Sequence, residues 1–363
     1  MLKLTFLGTS AGVATKQRNV TALAIECLNP HTGGSSKSNS SKKRRPWVLV
    51  DCGEGTQQQL LQTKLSLHQL TAICITHVHG DHCYGLPGLL ASAAMSGRTT
   101  PLTIIAPKAI ATLLDAVTLT TELYFSFTID FIAIEDVLLQ AQPQIHILLE
   151  EQQLVIDITA LSHRVPSHAF GITQTIHHSV LDVDKLQSEK VAAGRLWGRL
   201  LRGEDVYSED GRQLFSKDYV LNNEWRTRIV VAGDNDNLEL LYSAVREADL
   251  LVHEATYTSA LLAKIQAKNA EFDPMHSSAR QVGQFAKDST LDYLILTHFS
   301  ARYQSFDNPN SETPNMSHIR LDAASVYQGM LWLADDFAQF MVDPEVDNRV
   351  VYLGSAVAKP IIE

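Results

Sequence analysis

The sequence predicts one large α/β domain built from layers of strands and helices. Apolar residues make up 45% and charged residues 19% of the chain, the balance of an ordinary globular protein. Short β-branched runs such as TAICIT at 71–76 alternate with helix-like segments, a pattern typical of layered α/β domains. Several of these runs end in histidine or aspartate, and strand ends are where such domains carry functional side chains.

Each element is predicted from its local pattern, beginning with the apolar–polar alternation of MLKLTFLGTS, which is typical of a first strand. Runs of strand length and composition predict strands at 2–8, 21–27, 47–51, 71–76, 102–106, 153–159, 227–232 and 292–297. Helices are predicted from 55 to about 64 and from about 85 through LPGLLASAAMSG. We expect residues 1–363 to form a single domain with three insertions.

The three predicted insertions differ in composition. Residues 31–46 are rich in serine, glycine and basic residues, so we expect a mobile basic loop, solvated rather than touching RNA. Residues 181–218 carry Arg195 and Arg199 and are either an ordinary amphipathic helix and hairpin or a protruding arm that binds substrate. Residues 304–318 predict a second polar loop.

Composition narrows the class of protein. No apolar run approaches the roughly 20 residues needed to cross a bilayer, and the N-terminus lacks the pattern of a signal peptide. Four cysteines without CxxC spacing are typical of reduced thiols, so we expect a soluble, cytoplasmic protein that does not act at a membrane. The net charge of −10 counts against a general nucleic-acid coat but leaves room for local basic patches that bind RNA.

The segment THVHGDHCYG places His77, His79, Asp81 and His82 directly after a β-branched run. A tight loop after a strand can direct these side chains into one cleft, and glycines within the segment permit a sharp backbone path. Imidazole and carboxylate ligands suit zinc. A lone histidine is usually structural, but four such groups within six residues predict a metal site.

Further ligands are needed to complete two metal sites. His163, Asp234 and His298 each end an apolar run of strand type, which makes them the candidates. Asp234 could bridge two cations with its two oxygens, and its alternative role is that of a turn residue. His168 and the pair at 177–178 are weaker candidates, either for phosphate contacts or for surface positions.

The chain resembles the tRNase Z family of the metallo-β-lactamase superfamily. The resemblance rests on motifs in the family's order, spanning residues 1 to about 303: FLGTSAGVATKQRN, LVDCGEGTQQQLL, ITHVHGDHCYGLPGLL, HEAT, HSS and LILTHFSARY. It implies an αββα sandwich with a protruding substrate-binding arm. The chain departs from the family pattern at Asn235, where the family has threonine, at Ser278, also threonine, and at Gly194-Arg195, where the bacterial arm has Gly-Pro.

The resemblance also implies a ligand set, a substrate and an assembly. Two zinc ions per subunit would be held, the first by His77, His79 and His163, the second by Asp81, His82 and His298, with Asp234 between them. The substrate would be precursor tRNA, cleaved at its 3′ trailer to leave a 3′-hydroxyl. Family members are commonly homodimers in which one subunit's arm helps to bind the other subunit's substrate.

Catalytic roles follow from the chemistry of that reaction. Asp81 would orient the attacking water and accept its proton, and His276 would protonate the departing ribose oxygen with Glu254 as its partner. The alternative for the HEAT and HSS motifs is packing and capping, and His253 is expected to be structural.

Substrate contacts are expected outside the metal cluster. Ser300, Arg302 and a loop at 167–171 are candidates for phosphate contacts, and so are the arm residues Arg195 and Arg199. An internal ion pair is the alternative role for Arg302.

Three other functions stay open at the level of sequence. The first is a hydrolase of the same fold that acts on a small phosphodiester or a thioester, because a fold does not determine its substrate. The second is a 3′ exoribonuclease. The third, a non-catalytic RNA-binding scaffold, is disfavoured because all seven candidate ligands are present.

Overall fold

A computed structural model of the chain describes residues 1–30, 45–149, 152–268 and 273–357. The predicted basic loop at 31–46 therefore lies outside the described residues except for its last two positions.

The described residues form strands and helices in alternation through most of the chain. The strands are β1 Leu2–Gly8, β2 Ser10–Ala11, β3 Ala22–Cys27, β4 Trp47–Val50, β5 Leu70–Cys74, β6 Leu102–Ala106, β7 Ile129–Ala133, β8 Gln144–Leu149, β9 Gln152–Leu161, β10 Ser167–Leu181, β11 Val206–Tyr207, β12 Gln213–Leu214, β13 Val220–Ala232, β14 Leu250–Glu254, β15 Tyr293–Thr297, β16 Phe299–Ser300, β17 Met330–Leu333, β18 Ala338–Val342 and β19 Val350–Ser355. The α-helices are α1 Thr56–Leu61, α2 Gly80–Cys83, α3 Leu86–Met95, α4 Lys108–Thr121, α5 Ile134–Val137, α6 Val183–Ser188, α7 Arg195–Leu201, α8 Tyr242–Val245, α9 Ser259–Lys268, α10 Ala279–Asp288 and α11 Met316–Ala324.

Two large sheets dominate the described part of the chain. The first has the order β19-β18-β1-β3-β4-β5-β6-β7, and the second the order β17-β15-β14-β13-β10-β9-β8. Within each sheet, one side is antiparallel and the other is built from parallel pairs such as β4–β5–β6 and β13–β14–β15. β1 and β2 are joined to the C-terminal region, since β1 pairs with β18 and β2 pairs with β16.

The buried side chains define four layers. The cluster between the sheets takes residues from both, including Leu4, Val48, Ile156, Phe170 and Ile229. The outer face of the first sheet packs on α3 and α4, and the outer face of the second packs on α10 and α11. This order of helix, sheet, sheet and helix confirms the predicted αββα sandwich.

Most predicted elements lie within two residues of their observed bounds, but one expectation was wrong. The segment 167–171, expected to be a loop that contacts phosphate, is the fully buried start of β10. Both faces of this strand segment are covered, so its sequence lacks the apolar–polar alternation by which a half-exposed strand is identified.

The insertion at 181–218 forms a subdomain at the end of a long hairpin. β10 and β13 pair from Ala169 to Leu181, whereas β9 accompanies β10 only as far as Ile176. The hairpin therefore continues past its neighbours in the sheet. Beyond it, α6, α7, β11 and β12 enclose a small core of their own: Leu186, Val191, Leu200, Val206, Leu214 and Tyr219.

The C-terminal region completes both sheets. The predicted polar loop at 304–318 is shorter than expected, because α11 begins at Met316 after the N-cap residue Asn315. β17 then extends the second sheet, and β18 and β19 extend the first. Among the described helices, none is both long and apolar enough to cross a bilayer.

Candidate metal centre

Four of the candidate ligands follow the ends of strands, and the other three lie at the start of a short helix or within it. His77 lies three residues after β5, His163 two residues after β9, Asp234 two after β13, and His298 directly after β15. The remaining ligands lie between β5 and α3: His79 precedes α2, and Asp81 and His82 lie within it. The structure brings all seven side chains into two adjoining groups.

The first group contains His77, His79, His163 and Asp234. Nε2 of His77 is 3.1 Å from Nδ1 of His79, which in turn is 3.3 Å from Nε2 of His163. The Oδ2 atom of Asp234 is 3.7 Å from the His77 nitrogen and 3.6 Å from the His163 nitrogen. Four potential ligand atoms therefore surround one point.

The second group contains Asp81, His82 and His298. The Nε2 atoms of His82 and His298 are 3.2 Å apart, and both lie within 3.5 Å of Oδ2 of Asp81. Here Asp234 presents its other oxygen, with Oδ1 at 3.5 Å from His82 and 3.3 Å from His298. One carboxylate thus faces both groups, which is the arrangement that a pair of divalent cations requires of a shared ligand.

Close backbone packing holds α2 in place. A β-carbon on Gly53 would lie 2.2 Å from the carbonyl oxygen of Asp81, and one on Gly85 would lie 2.2 Å from the carbonyl oxygen of Gly53. Glycine at these two positions lets the loop after β4 pack directly on the ligand-bearing helix.

Asp51 supports the cluster and was not among the predicted site residues. Its Oδ2 lies 2.7 Å from Nδ1 of His82, and its Oδ1 accepts a 2.7 Å hydrogen bond from the N–H of Thr76. A carboxylate on the far nitrogen of a ligand histidine sets the tautomer and the ring orientation. The available signal was the position of Asp51 at the end of a predicted strand.

The electrostatics of the cluster reflect its burial. Burial and the neighbouring imidazoles lower the pKa of His77 far below its ordinary value, so this ring is neutral and able to bind a cation. Burial would also lower the pKa of His82, but Asp234 and Asp51 outweigh it and raise that pKa to about 10, so a cation that binds this ring must displace its proton. Burial opposes ionisation of Asp81, yet the hydrogen bond from His298 holds the pKa of that carboxyl below its usual range.

A second pair of predicted residues, His276 and Glu254, meets at the edge of the cluster. Nδ1 of His276 lies 3.0 Å and 2.9 Å from the two carboxylate oxygens of Glu254, and 3.8 Å from Oδ2 of Asp234. Glu254 is buried and also accepts hydrogen bonds from the N–H of Asn235 and the hydroxyl of Thr256. Burial would lower the pKa of His276, but the charge and hydrogen bond of Glu254 raise it to about 9.

The other histidines in this region make structural contacts. Nδ1 of His253 is 2.8 Å from the Glu254 carbonyl oxygen, and Nδ1 of His168 is 2.8 Å from the Thr76 carbonyl oxygen. His178 stacks on Trp225 in the stem of the long hairpin, at a centroid distance of 5.2 Å. His253 thus has the structural contact expected of it, and His168 and His178, the weaker candidates for phosphate contacts or surface positions, contact neighbouring parts of the protein.

The predicted substrate-contact residues lie in two places. Ser300 and Arg302 line a cavity of about 500 Å³ that also includes His276, so they lie beside the cluster. Ser300 is buried and accepts a hydrogen bond from Arg302, whereas the Arg302 side chain is exposed. Arg195 and Arg199 lie on α7 of the hairpin subdomain, where Arg199 forms an ion pair with Glu204 at 2.8 Å.

Comparison with known sequences gives relatives that span nearly the whole chain. Ribonuclease Z of Marinobacter nauticus is 41% identical over 344 residues, which cover 95% of this chain and 97% of the relative. Ribonuclease Z of Pseudomonas putida is 43% identical over 341 residues, covering 93% and 96%. In addition, the family model of the anti-Pycsar protein Apyc1 matches residues 39–181.

Comparison with solved structures supports the fold. Human tRNase Z, short form, aligns with a TM-score of 0.57 at 22% identity and covers 93% of this chain and 98% of its own. The metallo-β-lactamase fold protein YhfI from Bacillus subtilis aligns with a TM-score of 0.56 at 16% identity, covering 92% and 97%. These alignments confirm the metallo-β-lactamase fold.

Proposed function

The chain belongs to the ribonuclease Z family, and from this membership we propose that it is a metal-dependent endoribonuclease that removes the 3′ trailer of precursor tRNA. The observation that carries the proposal is the combination of two adjoining ligand groups with a paired acid at their edge. Hydrolysis of a phosphodiester needs positive charge for the phosphate and a proton for the leaving oxygen, and this arrangement offers both.

Two zinc ions are the proposed cofactors. Tetrahedral zinc with bonds of about 2.0–2.2 Å separates its ligand atoms by about 3.3–3.6 Å. Within each group all ligand atoms lie within 4.8 Å of one another, and the neighbouring pairs described above are 3.1–3.7 Å apart, so the donor set fits. The first ion would be held by His77, His79 and His163, the second by Asp81, His82 and His298, and Asp234 would offer one oxygen to each. When bound, such ions stabilise charge on phosphate oxygens and make water a nucleophile at neutral pH.

Asp81 is the proposed orienting residue for the attacking water. Its carboxylate is held in place by a 2.7 Å hydrogen bond from the N–H of Gly12 and stays ionised because its pKa is low. An ionised carboxylate accepts a hydrogen bond from water and so directs the lone pair of the water oxygen toward phosphorus. Asp81 then receives the proton as the new bond forms.

His276 is the proposed proton donor to the departing ribose oxygen. Glu254 engages Nδ1, so Nε2 is the ring nitrogen left to face substrate, on a side chain that lines an open cavity. The carboxylate also keeps the ring protonated near neutral pH, as a general acid must be. Protonation at the ribose oxygen releases the tRNA with a 3′-hydroxyl.

The remaining parts of the proposal concern the arm, the assembly and the compartment. We propose that the subdomain at 181–218 binds tRNA, with Arg195 and Arg199 as contacts, and that the protein acts as a homodimer in the cytoplasm. The subdomain at 181–218 has a hydrophobic core of its own, which gives it a definite shape and so supports its proposed role in tRNA binding. The four cysteines, all buried thiols, support a reducing compartment.

The decisive experiment uses a precursor tRNA that carries a 3′ trailer and a label at its 5′ end. Metal-loaded wild-type protein should release one discrete product ending in a 3′-hydroxyl. A chelated sample and Asp81→Ala should leave the precursor intact. Sedimentation of the same protein tests the dimer.

Three outcomes would contradict the proposal. A ladder of shortened products would indicate a 3′ exoribonuclease. An intact precursor, together with turnover of a small phosphodiester or thioester, would indicate a small-molecule hydrolase. RNA binding without any cleavage by the metal-loaded protein would indicate a scaffold.

A further inference from the structure

The cavity of about 500 Å³ beside His276 is large enough to take one nucleotide. Its volume falls within the range of roughly 300–1,000 Å³ seen for pockets that bury a small ligand. Its lining comes from four segments that meet near the β2–β16 pair: Ala11, Gly12, Val13, Thr256, Tyr257, His276, Ser300, Ala301 and Arg302. Several of these residues have no part in the catalytic roles described above.

The position of the cavity identifies which nucleotide could occupy it. His276 borders the cavity, and a proton donor must lie beside the oxygen that leaves. That oxygen is the 3′-oxygen of the nucleotide on the 5′ side of the cleaved bond. The cavity therefore lies where the last nucleotide retained by the tRNA would be placed.

Tyr257 gives the cavity an aromatic surface. Its ring is half-buried and lies edge-on to His276, with the ring centroids 6.0 Å apart. Unpaired bases at the end of an RNA are commonly held by stacking on such rings, and this contact tolerates any base.

Arg302 gives the cavity a cation. Within the described residues no carboxylate lies within 4.0 Å of its guanidinium, which instead lies beside the Ser300 and Tyr257 hydroxyls. A guanidinium without an acidic partner suits a phosphate group.

The lining offers little with which to distinguish one base from another. Val13 and Ala301 have no polar side-chain atoms, and the N–H of Gly12 is already donated to a carboxylate of the metal cluster. The hydroxyl of Thr256 is engaged by a buried carboxylate as well. Selection of a base requires hydrogen bonds to its edges, but the groups of these four residues are occupied or absent, and the Ser300 and Tyr257 hydroxyls already contact the Arg302 guanidinium.

We propose that this cavity, the Tyr257 pocket, receives the last nucleotide that the tRNA retains, by stacking on Tyr257 and a phosphate contact with Arg302, without selecting its base. The proposal rests on the proposed function, because it assumes cleavage of precursor tRNA with His276 as the acid.

The test compares three precursors under single-turnover conditions. One carries all its bases, one has an abasic residue at the last retained position, and one has an abasic residue at the first trailer position. Wild-type protein should lose about tenfold in rate on the second precursor and little on the third, in line with the stacking of one base. Tyr257→Ala should cleave the complete precursor about tenfold more slowly than wild type does. On the second precursor it should lose no further rate, because the variant and the abasic residue each remove one partner of the same stacking contact.

Tyr257→Phe is the matched variant, because it keeps the ring and removes the hydroxyl. It should respond to the abasic residue as wild type does, and loss of that response would overturn the role of the ring. Wild-type protein should cleave precursors with each of the four bases at this position within about fivefold, since a base-reading contact would separate them further.

Other results would contradict the Tyr257 pocket. The pocket is contradicted if wild-type protein cleaves the second precursor as fast as the complete one. This result can be read even if Tyr257→Ala fails to fold. The pocket is also contradicted if Tyr257→Ala and an abasic residue at the first trailer position remove the same contact. If all precursors are cleaved but the effects of Tyr257→Ala and of the abasic residue are independent, the Tyr257 pocket alone is contradicted. If the metal-loaded protein cleaves none of the precursors, the proposed function itself is contradicted.

Discussion

The two carboxylate oxygens of Glu254 lie 3.0 Å and 2.9 Å from Nδ1 of His276. Glu254 is buried, and its other hydrogen-bond donors are the N–H of Asn235 and the hydroxyl of Thr256. The carboxylate is thus held in one orientation, with both of its oxygens within hydrogen-bond distance of the same ring nitrogen. This contact, rather than the HEAT motif as such, relates Glu254 to the proposed chemistry.

Replacing Glu254 by glutamine should lower the rate of precursor cleavage by roughly 100-fold. The glutamine keeps the shape of the side chain but removes the charge that keeps His276 protonated, and a general acid contributes about 10²–10⁴-fold. The measurement is single-turnover cleavage of a precursor tRNA. An unchanged unfolding midpoint and metal content would show that the loss is not one of folding.

His276→Ala should impair cleavage of RNA far more than cleavage of an activated ester. The 3′-oxygen of a ribose needs a proton to leave, whereas p-nitrophenolate leaves without one. We expect a loss of about 100-fold or more on precursor tRNA and a much smaller loss on bis(p-nitrophenyl) phosphate. Equal losses on the two substrates would rule out the role of proton donor.

Asp51→Asn should weaken metal binding without removing a ligand. Asp51 lies 2.7 Å from Nδ1 of His82, and loss of such a partner typically costs about 10–100-fold in metal affinity. Competition with a chelator of known affinity measures the change. Glu26→Gln is the control, because it removes a buried carboxylate that pairs with Lys3 away from the cluster. A variant of Asp51 with wild-type affinity would contradict the supporting role.

Arg195→Ala should weaken tRNA binding more than Arg199→Ala. Arg199 forms an ion pair with Glu204, which also pairs with Arg202, while the structure shows no acidic partner for Arg195 among the described residues. We expect Arg195→Ala to raise KM several-fold and to reduce the salt dependence of binding by about one phosphate contact. A larger effect of Arg199→Ala would show that the ion pair opens when tRNA binds.

Asp336 should make the protein less stable as pH rises from about 4 to 6. Burial raises the pKa of its carboxyl to about 6, although the N–H of Asn19 and the hydroxyl of Thr9 stabilise the charged form. The folded state therefore keeps this proton in a range where the unfolded chain has lost it, so the free energy of unfolding falls as pH rises through that range.

The contribution of Asp336 is at most about 3 kcal/mol, since each unit of pKa difference corresponds to about 1.4 kcal/mol. This contribution is measured by urea unfolding of wild type and Asp336→Asn at a series of pH values. The difference in stability between the two proteins should change between pH 4 and 6 and become constant above that range. A constant difference throughout would show that the carboxyl titrates normally.

Local sequence pattern was sufficient to predict a layered α/β domain and to identify the candidate metal ligands along the chain. β1 and β5 were predicted because alternation or β-branched composition is a property of the strand itself. His163, Asp234 and His298 could be identified because a polar ligand at the end of an apolar run is visible in the sequence. β10 was missed over residues 167–171, because a strand covered on both faces shows no alternation.

The sequence by itself determined the layered α/β class, through short-range periodicity, and which residue types could bind metal, through side-chain chemistry; the αββα order was implied by the family resemblance. Only the tertiary structure decided how those residues meet. His82 and His298 are 216 positions apart in the chain and 3.2 Å apart in space, Asp234 turns one oxygen to each ligand group, and Asp51 supports His82. These contacts depend on the packing of one sheet against the other, a long-range property that no local pattern contains.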